Sequence, residues 1–523
     1  MSLQILTRDV PPRTAWTLEQ AGVHPLLSRL FAARGIQSAD ELDDGLAKLL
    51  PPHTLKGTEA AAILLADAIA AHKRLCIVAD YDCDGATACA VGLRGLRMLG
   101  AQHVSYIVPD RVVDGYGLTA PIAQRVHQAG ADLLITVDNG IASMEGVAQA
   151  QALGLQVLVT DHHLPAAALP SADVIVNPNQ PGCSFESKAL AGVGVMFYVL
   201  LALRAELRKR GLFTAETQPK LDALLPLVAL GTVADVVKLD ANNRRLVAQG
   251  LARVRKGQMP PGMQALFAAA GRQSEKCTSQ DFGFALGPRI NAAGRLTDMS
   301  LGIRCLTTDD DMQALELARE LDNINRERRQ IETVMKEQAL EATQAIDDGA
   351  VGASVCVFHP EWHQGVVGLV ASRLKEKYFR PTIAFAPSGD NEIRGSGRSI
   401  PDVHLRDVLD LISKRNPGLI HKFGGHAMAA GLTMGREHFD QFQPAFEAAV
   451  VELTGRQRFE PVIETDGSLE SGYANAQVAV MLQKENVFDL ESGRCRAKLA
   501  MVYPDGRYQE SFGSKIDVHA EWL

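Results

Sequence analysis

The chain reads as an α/β protein built on a parallel sheet, and three observations carry that reading. Short apolar runs rich in β-branched residues recur between residues 75 and 176. Helix-patterned segments separate them. Each run also ends in a polar residue: Leu75–Ala79 enters Asp80-Tyr81-Asp82-Cys83-Asp84-Gly85, Val104–Pro109 enters Asp110-Arg111, and Leu133–Val137 enters Asp138-Asn139-Gly140. Val157–Thr160 enters Asp161-His162-His163, and Val174–Val176 enters Asn177. In a parallel sheet every strand delivers its C-terminal end to one edge, where open α/β folds place their sites. That edge gathers carboxylates and two imidazoles, which predicts a metal site with ligands for a pair of ions.

Taken in order, residues 1–70 read as a helical lead-in broken at Pro11-Pro12 and Pro51-Pro52, with the helix Glu59–Ala71 feeding the first strand. Helices are expected near 86–99, 119–129, 143–153 and 189–209, followed by a helix-rich part over about 217–300. From Asp309 to Ile346 there is no Gly or Pro, which predicts one long helix. Its stripe of Leu315, Ala318, Leu321 and Ile324 and its polar other faces suit a connector better than a coiled-coil partner site. A second α/β unit starts at Ala353–Phe358 and runs to about 450, and the remaining residues alternate short β-like runs with turns, as a small β-domain would. The expected divisions are 1–308, 309–347, 348–452 and 453–523.

At 523 residues the chain should hold roughly three domains. A net charge of −8 gives no footprint of a generic nucleic-acid coater, although it leaves room for a local basic groove. The eight cysteines are scattered with no Cys-x-x-Cys pair, which fits reduced, cytosolic thiols rather than a disulfide framework or a zinc cage. The first residues lack the charged start and apolar core of a signal peptide. The longest apolar stretch, Ala189–Leu203, falls short of the ~18 residues of a membrane span and is softened by Gly192 and Gly194, so a buried helix is expected. A cytoplasmic monomer without membrane contact is the expectation.

Asp80-x-Asp82-x-Asp84-Gly85 packs three carboxylates into five residues. A calcium loop of the EF-hand type needs a Glu six residues after the Gly, where this chain has Val91. Asp138 follows a strand that is apolar apart from Thr136, where a buried carboxylate is costly without a cation beside it; a helix-capping Asp is the alternative. Imidazole next to carboxylate in Asp161-His162-His163 suits Mn²⁺ or Mg²⁺. One His can ligate while its neighbour contacts a phosphate or donates a proton. Asp235, after the apolar run Leu224–Val233, can complete the set. Two such cations can hold a phosphodiester, make hydroxide from water and offset charge on attacking and leaving oxygens. No Cys or Ser nucleophile stands in a matching motif, which favours direct attack by water. Arg111, Arg289, Arg295 and Arg398 lie in Gly-rich or loop contexts suited to bidentate phosphate contacts, with an ordinary surface Arg as the alternative. Tyr116, between Gly115 and Gly117, can stack on a base or simply pack.

These motifs, together with Pro109-Asp110-Arg111, Gly231–Asp235, Gly287–Leu296, Trp362–Gly368 and Phe423–Gly431, resemble the DHH phosphoesterase superfamily, and within it the bacterial single-strand-specific 5′→3′ DNA exonucleases. They follow the family's order from residue 80 to 431. The resemblance implies a parallel-sheet catalytic domain, a long connecting helix, a second α/β DHH-associated domain and a C-terminal OB-like domain. It implies Mn²⁺- or Mg²⁺-dependent hydrolysis of single-stranded DNA from a 5′ end to 5′-mononucleotides, in repair and recombination. Asp80, Asp82, Asp84, Asp138, His162 and Asp235 would ligate the metals, with Asp138 bridging, and His163 would sit beside the scissile phosphate. Asp84, Asp138 and His163 would thus carry the catalysis. Arg111 and Arg289 would hold the terminal 5′ phosphate, with Tyr116 against a base. Asn291 and Arg295 would contact substrate, and Arg398, Ser399 and His426 would line the DNA path between the domains. Single-strand binding protein and a RecQ-type helicase are the partners implied. The chain departs from the family at Ala79, where Gly is usual, and in the tail, where no Gly-Pro-rich turn follows Met481 and a shortened or altered OB domain is expected. Other readings are a DHH phosphodiesterase for short oligonucleotides or cyclic dinucleotides, and an inactive replication scaffold. The long second half with its arginines favours the polymer nuclease, and the full set of acids disfavours the scaffold.

Overall fold

In the computed structural model the five apolar runs form one sheet: β1 (Arg74–Ala79), β2 (His103–Ile107), β3 (Leu133–Val137), β4 (Gln156–Thr160) and β5 (Val174–Val176). Every pairing is parallel and the order is β2-β1-β3-β4-β5. The chain therefore steps outward to β2 and returns on the other side to β3, which puts the topological switch between β1 and β3. Asp80 and Asp138 follow those two strands.

Residues 4–110, 114–343, 352–389, 391–473, 475, 477–478, 481–482, 500–502 and 508–510 are described. They divide into two units, one of Asp9–Ile324 with residues from Asp466 onward, the other of residues up to Arg8 with Asn325–Thr465. In the first, strand alternation sends Leu75, Ile77, Leu133 and Ile135 to one face of the sheet and Cys76, Val78, Leu134 and Val157 to the other. The first face packs on the helices α1 (Cys83–Met98) and α2 (Gly192–Lys209), and α3 (Leu225–Ala234) packs on those two helices. Helices Ala120–Gln128 and Met144–Ala152 cover the second with Ile122, Val126 and Val147. α1 starts three residues before the expected 86 because Asp82 caps it, its Oδ1 accepting from the Gly85 N–H at 3.0 Å.

The apolar stretch at 189–203 is the buried part of α2, and no helix among the described residues is long and apolar enough to cross a membrane. Two expectations need correction. The lead-in is not wholly helical: Gln4–Thr7 is a strand paired in parallel with Val462–Thr465, a partner too distant in sequence for local periodicity to reveal. The long helix spans Asp311–Ala342, but its buried face runs through Ala314, Leu317, Ala318 and Leu321, with Leu315 only half-buried. The helix also buries three polar residues, Asp322, Asn325 and Glu332.

The second unit holds a five-stranded mixed sheet in the order Lys422–Gly425, Ala429–Gly435, Glu392–Arg398, Thr382–Pro387, Val355–Phe358. The last two strands are parallel, joined through the helix Val367–Tyr378, and the others pair antiparallel. Ile383, Phe385, Leu409, Phe442 and Phe446 form its core. In the tail, Ala500–Val502 pairs antiparallel with Tyr508–Glu510; most of the expected OB-like region lies outside the described residues.

Candidate metal centre

The edge beyond β1, β3 and β4 collects the acids and imidazoles around the N-terminus of α1. Asp80 accepts from the Tyr81 N–H through Oδ1 (2.8 Å). Gly85 lets α1 turn away at once, since a Cβ there would lie 2.5 Å from the Asp80 carbonyl oxygen. Asp84 points into the first turn of α2, where its two oxygens accept from the N–H groups of Gly192 (2.7 Å) and Val193 (2.9 Å). Those are donors that a helix start leaves open. Asp138 adopts a left-handed backbone, φ 63°, uncommon outside glycine. That turn aims its carboxylate at Gly192, whose absent side chain makes the space: a Cβ there would sit 2.6 Å from Asp138 Oδ1. Asp235 follows the last residue of α3, where the helix dipole disfavours a carboxylate unless a cation stands nearby.

His162 reaches into this group from the end of β4. Its Nε2 lies 3.1 Å from Asp138 Oδ1, 3.5 Å from Asp235 Oδ2 and 4.0 Å from Asp84 Oδ2. Ligand atoms within 4.8 Å of one another group as Asp80-Asp82-Asp138, Asp84-His162-Asp235 and Asp138-His162-His163. All six expected ligands fall in these triads, and Asp138 and His162 each belong to two. His163 joins the third, which the sequence reading kept apart from the ligands.

Charge is poorly balanced within the cluster. Burial, then repulsion from Asp235 and Asp82, raises Asp84 well above the usual carboxylate range; burial, then Asp84 and its neighbours, does the same to Asp138. Burial also raises Asp235 and lowers His162. Although 3.1 Å apart, neither Asp138 Oδ1 nor His162 Nε2 has a hydrogen-bond partner among the described residues. A buried carboxylate oxygen and a buried imidazole nitrogen left this way are costly. Hard oxygen donors with imidazole and no thiolate ligand fit Mn²⁺ or Mg²⁺.

Asp161 behaves differently; the sequence places it in the Asp161-His162-His163 motif without giving it a role of its own. Its Oδ1 accepts from the N–H groups of His162 (2.7 Å) and His163 (3.1 Å) and pairs with His163 Nδ1 (2.8 Å), while Oδ2 accepts from Ile141 N–H (2.8 Å). Burial would raise this acid, but the contacts with His163 take it below its ordinary value. Burial likewise would lower His163, yet Asp161 and the surrounding acids lift it to about 9. Asn177, at the end of β5, and Asn179 donate to the carbonyls of His163 (2.9 Å) and His162 (2.7 Å), so the fifth strand end orients the imidazoles. Asn139 Nδ2 ties the ends of β1 and β3 through Val78 O and Val137 O. Asn139 and Asn177, each just past a strand, were the signals in the sequence for this scaffold.

The expected substrate residues are placed as follows. Tyr116 keeps an exposed ring, while its hydroxyl donates to the Asp138 carbonyl (3.2 Å) and its edge meets Tyr81 and His163. Arg111 lies outside the described residues. Arg289, Asn291 and Arg295 ride on α4 (Gly287–Leu296), which follows a π-helical turn, Phe282–Leu286. α4 sits on the metal loop: Asn291 Oδ1 accepts from Cys83 N–H (2.8 Å), and a Cβ on Gly294 would lie 2.0 Å from the Tyr81 carbonyl. Asn291 thus holds the loop through its carbonyl, and Arg295 is half-buried.

In the second unit, Arg394, Ser396 and Arg398 alternate along one sheet face, in register with Thr433, Gly431 and Ala429. A Cβ on Gly424 would meet nothing within 4 Å and one on Gly431 nothing nearer than 3.7 Å, so this face has an open glycine floor beside cations. Arg398 Nη1 donates to Gly397 O at 2.8 Å and lies 3.2 Å from Ser396 Oγ. His426 is exposed in the turn between Lys422–Gly425 and Ala429–Gly435. Ser399 corrects its expected role: it is buried and donates its hydroxyl to Val403 O (2.6 Å), so it shapes the loop, and Ser396 is the hydroxyl on the open face.

Comparison with known proteins agrees with this geometry. Residues 74–232 match the profile of the DHH family, N-terminal domain, and residues 349–452 that of the DHHA1 domain. The chain is 48% identical over 462 residues to the single-stranded-DNA-specific exonuclease RecJ of Haemophilus influenzae, covering 88% of this chain and 80% of the relative. To the RecJ of Escherichia coli it is 47% identical over 467 residues, covering 88% and 81%. The crystal structure of Thermus thermophilus RecJ in complex with Mn²⁺ superimposes with a TM-score of 0.80 at 29% identity, covering 95% of this chain and 69% of that one. A Mg²⁺ complex of the same protein gives 0.73 at 29% identity, covering 96% and 68%.

Proposed function

The chain belongs to the RecJ family of single-stranded-DNA-specific exonucleases, and on that premise we propose that it hydrolyses single-stranded DNA from a 5′ end to 5′-mononucleotides, with Mn²⁺ or Mg²⁺, in repair and recombination. One observation carries the reading. At the switch point of the parallel sheet, carboxylates and imidazoles converge while Asp138 Oδ1 and His162 Nε2 lack hydrogen-bond partners among the described residues.

Asp80, Asp82, Asp84, Asp138, His162 and Asp235 would hold the two cations, and Asp138 belongs to two of the triads. The chemistry such cations would supply there is neutralisation of phosphodiester charge and acidification of water. Gly192 and Val193 keep Asp84 aimed, and the left-handed turn does the same for Asp138. The attacking water oxygen bonds to phosphorus, the P–O3′ bond breaks, and O3′ leaves with a proton. His163, held protonated by Asp161 and partly open to solvent, can bind a phosphate oxygen or supply that proton. Breaking P–O3′ leaves a phosphate on the new 5′ end, so the same group presents itself at every step. Arg111 and Arg289 hold it, Tyr116 lies against a base, and Asn291 and Arg295 serve the same end of the strand. Arg398 and His426, with Ser396, contact the strand along the glycine-floored sheet face, where Arg suits phosphate. The protein works in the cytoplasm as a monomer, on strands that a RecQ-type helicase unwinds and single-strand binding protein keeps open.

The test is Mn²⁺-dependent release of label from 5′- and 3′-labelled single-stranded DNA, with Asp138→Ala as control. Early loss of 5′ label as mononucleotide, absent on blunt duplex and abolished by Asp138→Ala, is the expected outcome. Turnover of dinucleotides with no cleavage of long strands would instead favour a short-substrate phosphodiesterase.

A further inference from the structure

The guanidinium of Arg289 is held from two sides within its own unit. On one side Nη1 donates to the Ala285 carbonyl at 2.7 Å, in the π-helical turn that precedes α4. On the other side Nη2 lies 2.8 Å from Asp322 Oδ1. Arg289 is 8% exposed and Asp322 4%. Asp322 stands on the long helix among buried Leu317, Ala318 and Leu321, a face where an acid is unfavourable without a partner cation. A guanidinium is a rigid plane of five donors, so two fixed contacts set the direction of the rest. The helix carrying Arg289 is itself registered on the metal loop through Asn291 and Gly294.

We infer that Asp322 is a positioning residue for the reaction, fixing the plane of Arg289 so that it meets the terminal 5′ phosphate of the strand being digested. The inference rests on the reading of Arg289 as a phosphate holder. An ion pair that merely fastens the long helix would affect every substrate alike; a positioning role affects the phosphorylated end selectively.

The experiment uses the full chain with Mn²⁺ and one oligodeoxynucleotide bearing either a 5′-phosphate or a 5′-hydroxyl, and takes the ratio of kcat/KM for the two. The ratio is internal to each preparation, so a partly unfolded variant does not distort it. We expect the parent protein to favour the phosphorylated strand. Asp322→Asn should lower the ratio about tenfold, mainly through KM of the phosphorylated strand, the size of one misdirected charge-assisted contact. Asp322→Glu, which keeps the charge, should recover part of it, and it supplies the ratio if the Asn variant does not fold. An unchanged ratio in Asp322→Asn and Asp322→Glu, with a collapsed ratio in Arg289→Gln, would reduce the pair to packing and overturn the inference. An unchanged ratio in Arg289→Gln would overturn the phosphate reading of Arg289 and Asp322's role with it. Cleavage of neither strand by the parent protein would overturn the exonuclease reading itself.

Discussion

The carboxyl edge of the parallel sheet and the open face of the mixed sheet handle charge in opposite ways. At the first, acids are buried together, and repulsion and desolvation raise Asp84 and Asp138 well above their ordinary values. On the second, Arg394 and Arg398 are half-buried on a strand whose neighbour offers Gly431, with Gly424 on the strand beyond. The first arrangement is unfavourable until a cation binds, so its stability and its ligand are linked. The second needs no ligand to be stable, and its contribution to binding a polyanion should be graded and weakened by salt.

The sharpest way to break this contrast is Asp138→Ala, which removes the acid common to two of the triads. Nuclease turnover should fall by on the order of 10³-fold or more, several kcal/mol of transition-state stabilisation; a loss of only a few-fold would deny Asp138 its shared position. Next is Gly192→Ala, whose Cβ would press within 2.6 Å of Asp138 Oδ1. Calorimetric titration should show Mn²⁺ affinity lowered about tenfold, as for other changes behind a metal ligand. On the other sheet, Arg398→Gln should raise KM by a few-fold and flatten the dependence of log KM on log salt by up to about one unit of slope, with kcat changing less. A collapse of kcat there would make the two regions one.

The smallest effect is on stability against pH. Asp84 and Asp138 are raised by burial and mutual repulsion, and His163 is raised to about 9 against burial by its contact with Asp161. Groups raised in the folded state bind more protons folded than unfolded, so their stabilisation is complete below the unfolded values and is lost as pH climbs through the folded ones. Chelator-treated protein should therefore melt a few degrees lower at about pH 9 than at about pH 6, and saturating Mn²⁺ should shrink the difference by removing the share of Asp84 and Asp138. A melting temperature flat across that window in the metal-free protein would contradict the assigned shifts, and the share that persists with Mn²⁺ is that of His163, held up by Asp161.

What the sequence determined by itself was the parallel sheet and the order of chemistry along its edge. Strand alternation and the residue just past each strand are local properties, and β1 to β5 stand where the apolar runs end in Asp80, Asp110, Asp138, Asp161 and Asn177. The candidate ligands were legible for the same reason, since parallel topology alone carries strand ends to one place. Only the tertiary structure decided how those residues divide the work. Asp161 and Asp138 follow neighbouring strands and look alike in sequence, yet the first is satisfied by four donor contacts while the second has an oxygen with no hydrogen-bond partner among the described residues. Asp84 depends on Gly192 and Val193, more than 100 residues away, and Asp322 is buried because Arg289 meets it across another helix. A carboxylate's role follows from the donors and charges around it, and those neighbours come together only when distant segments pack.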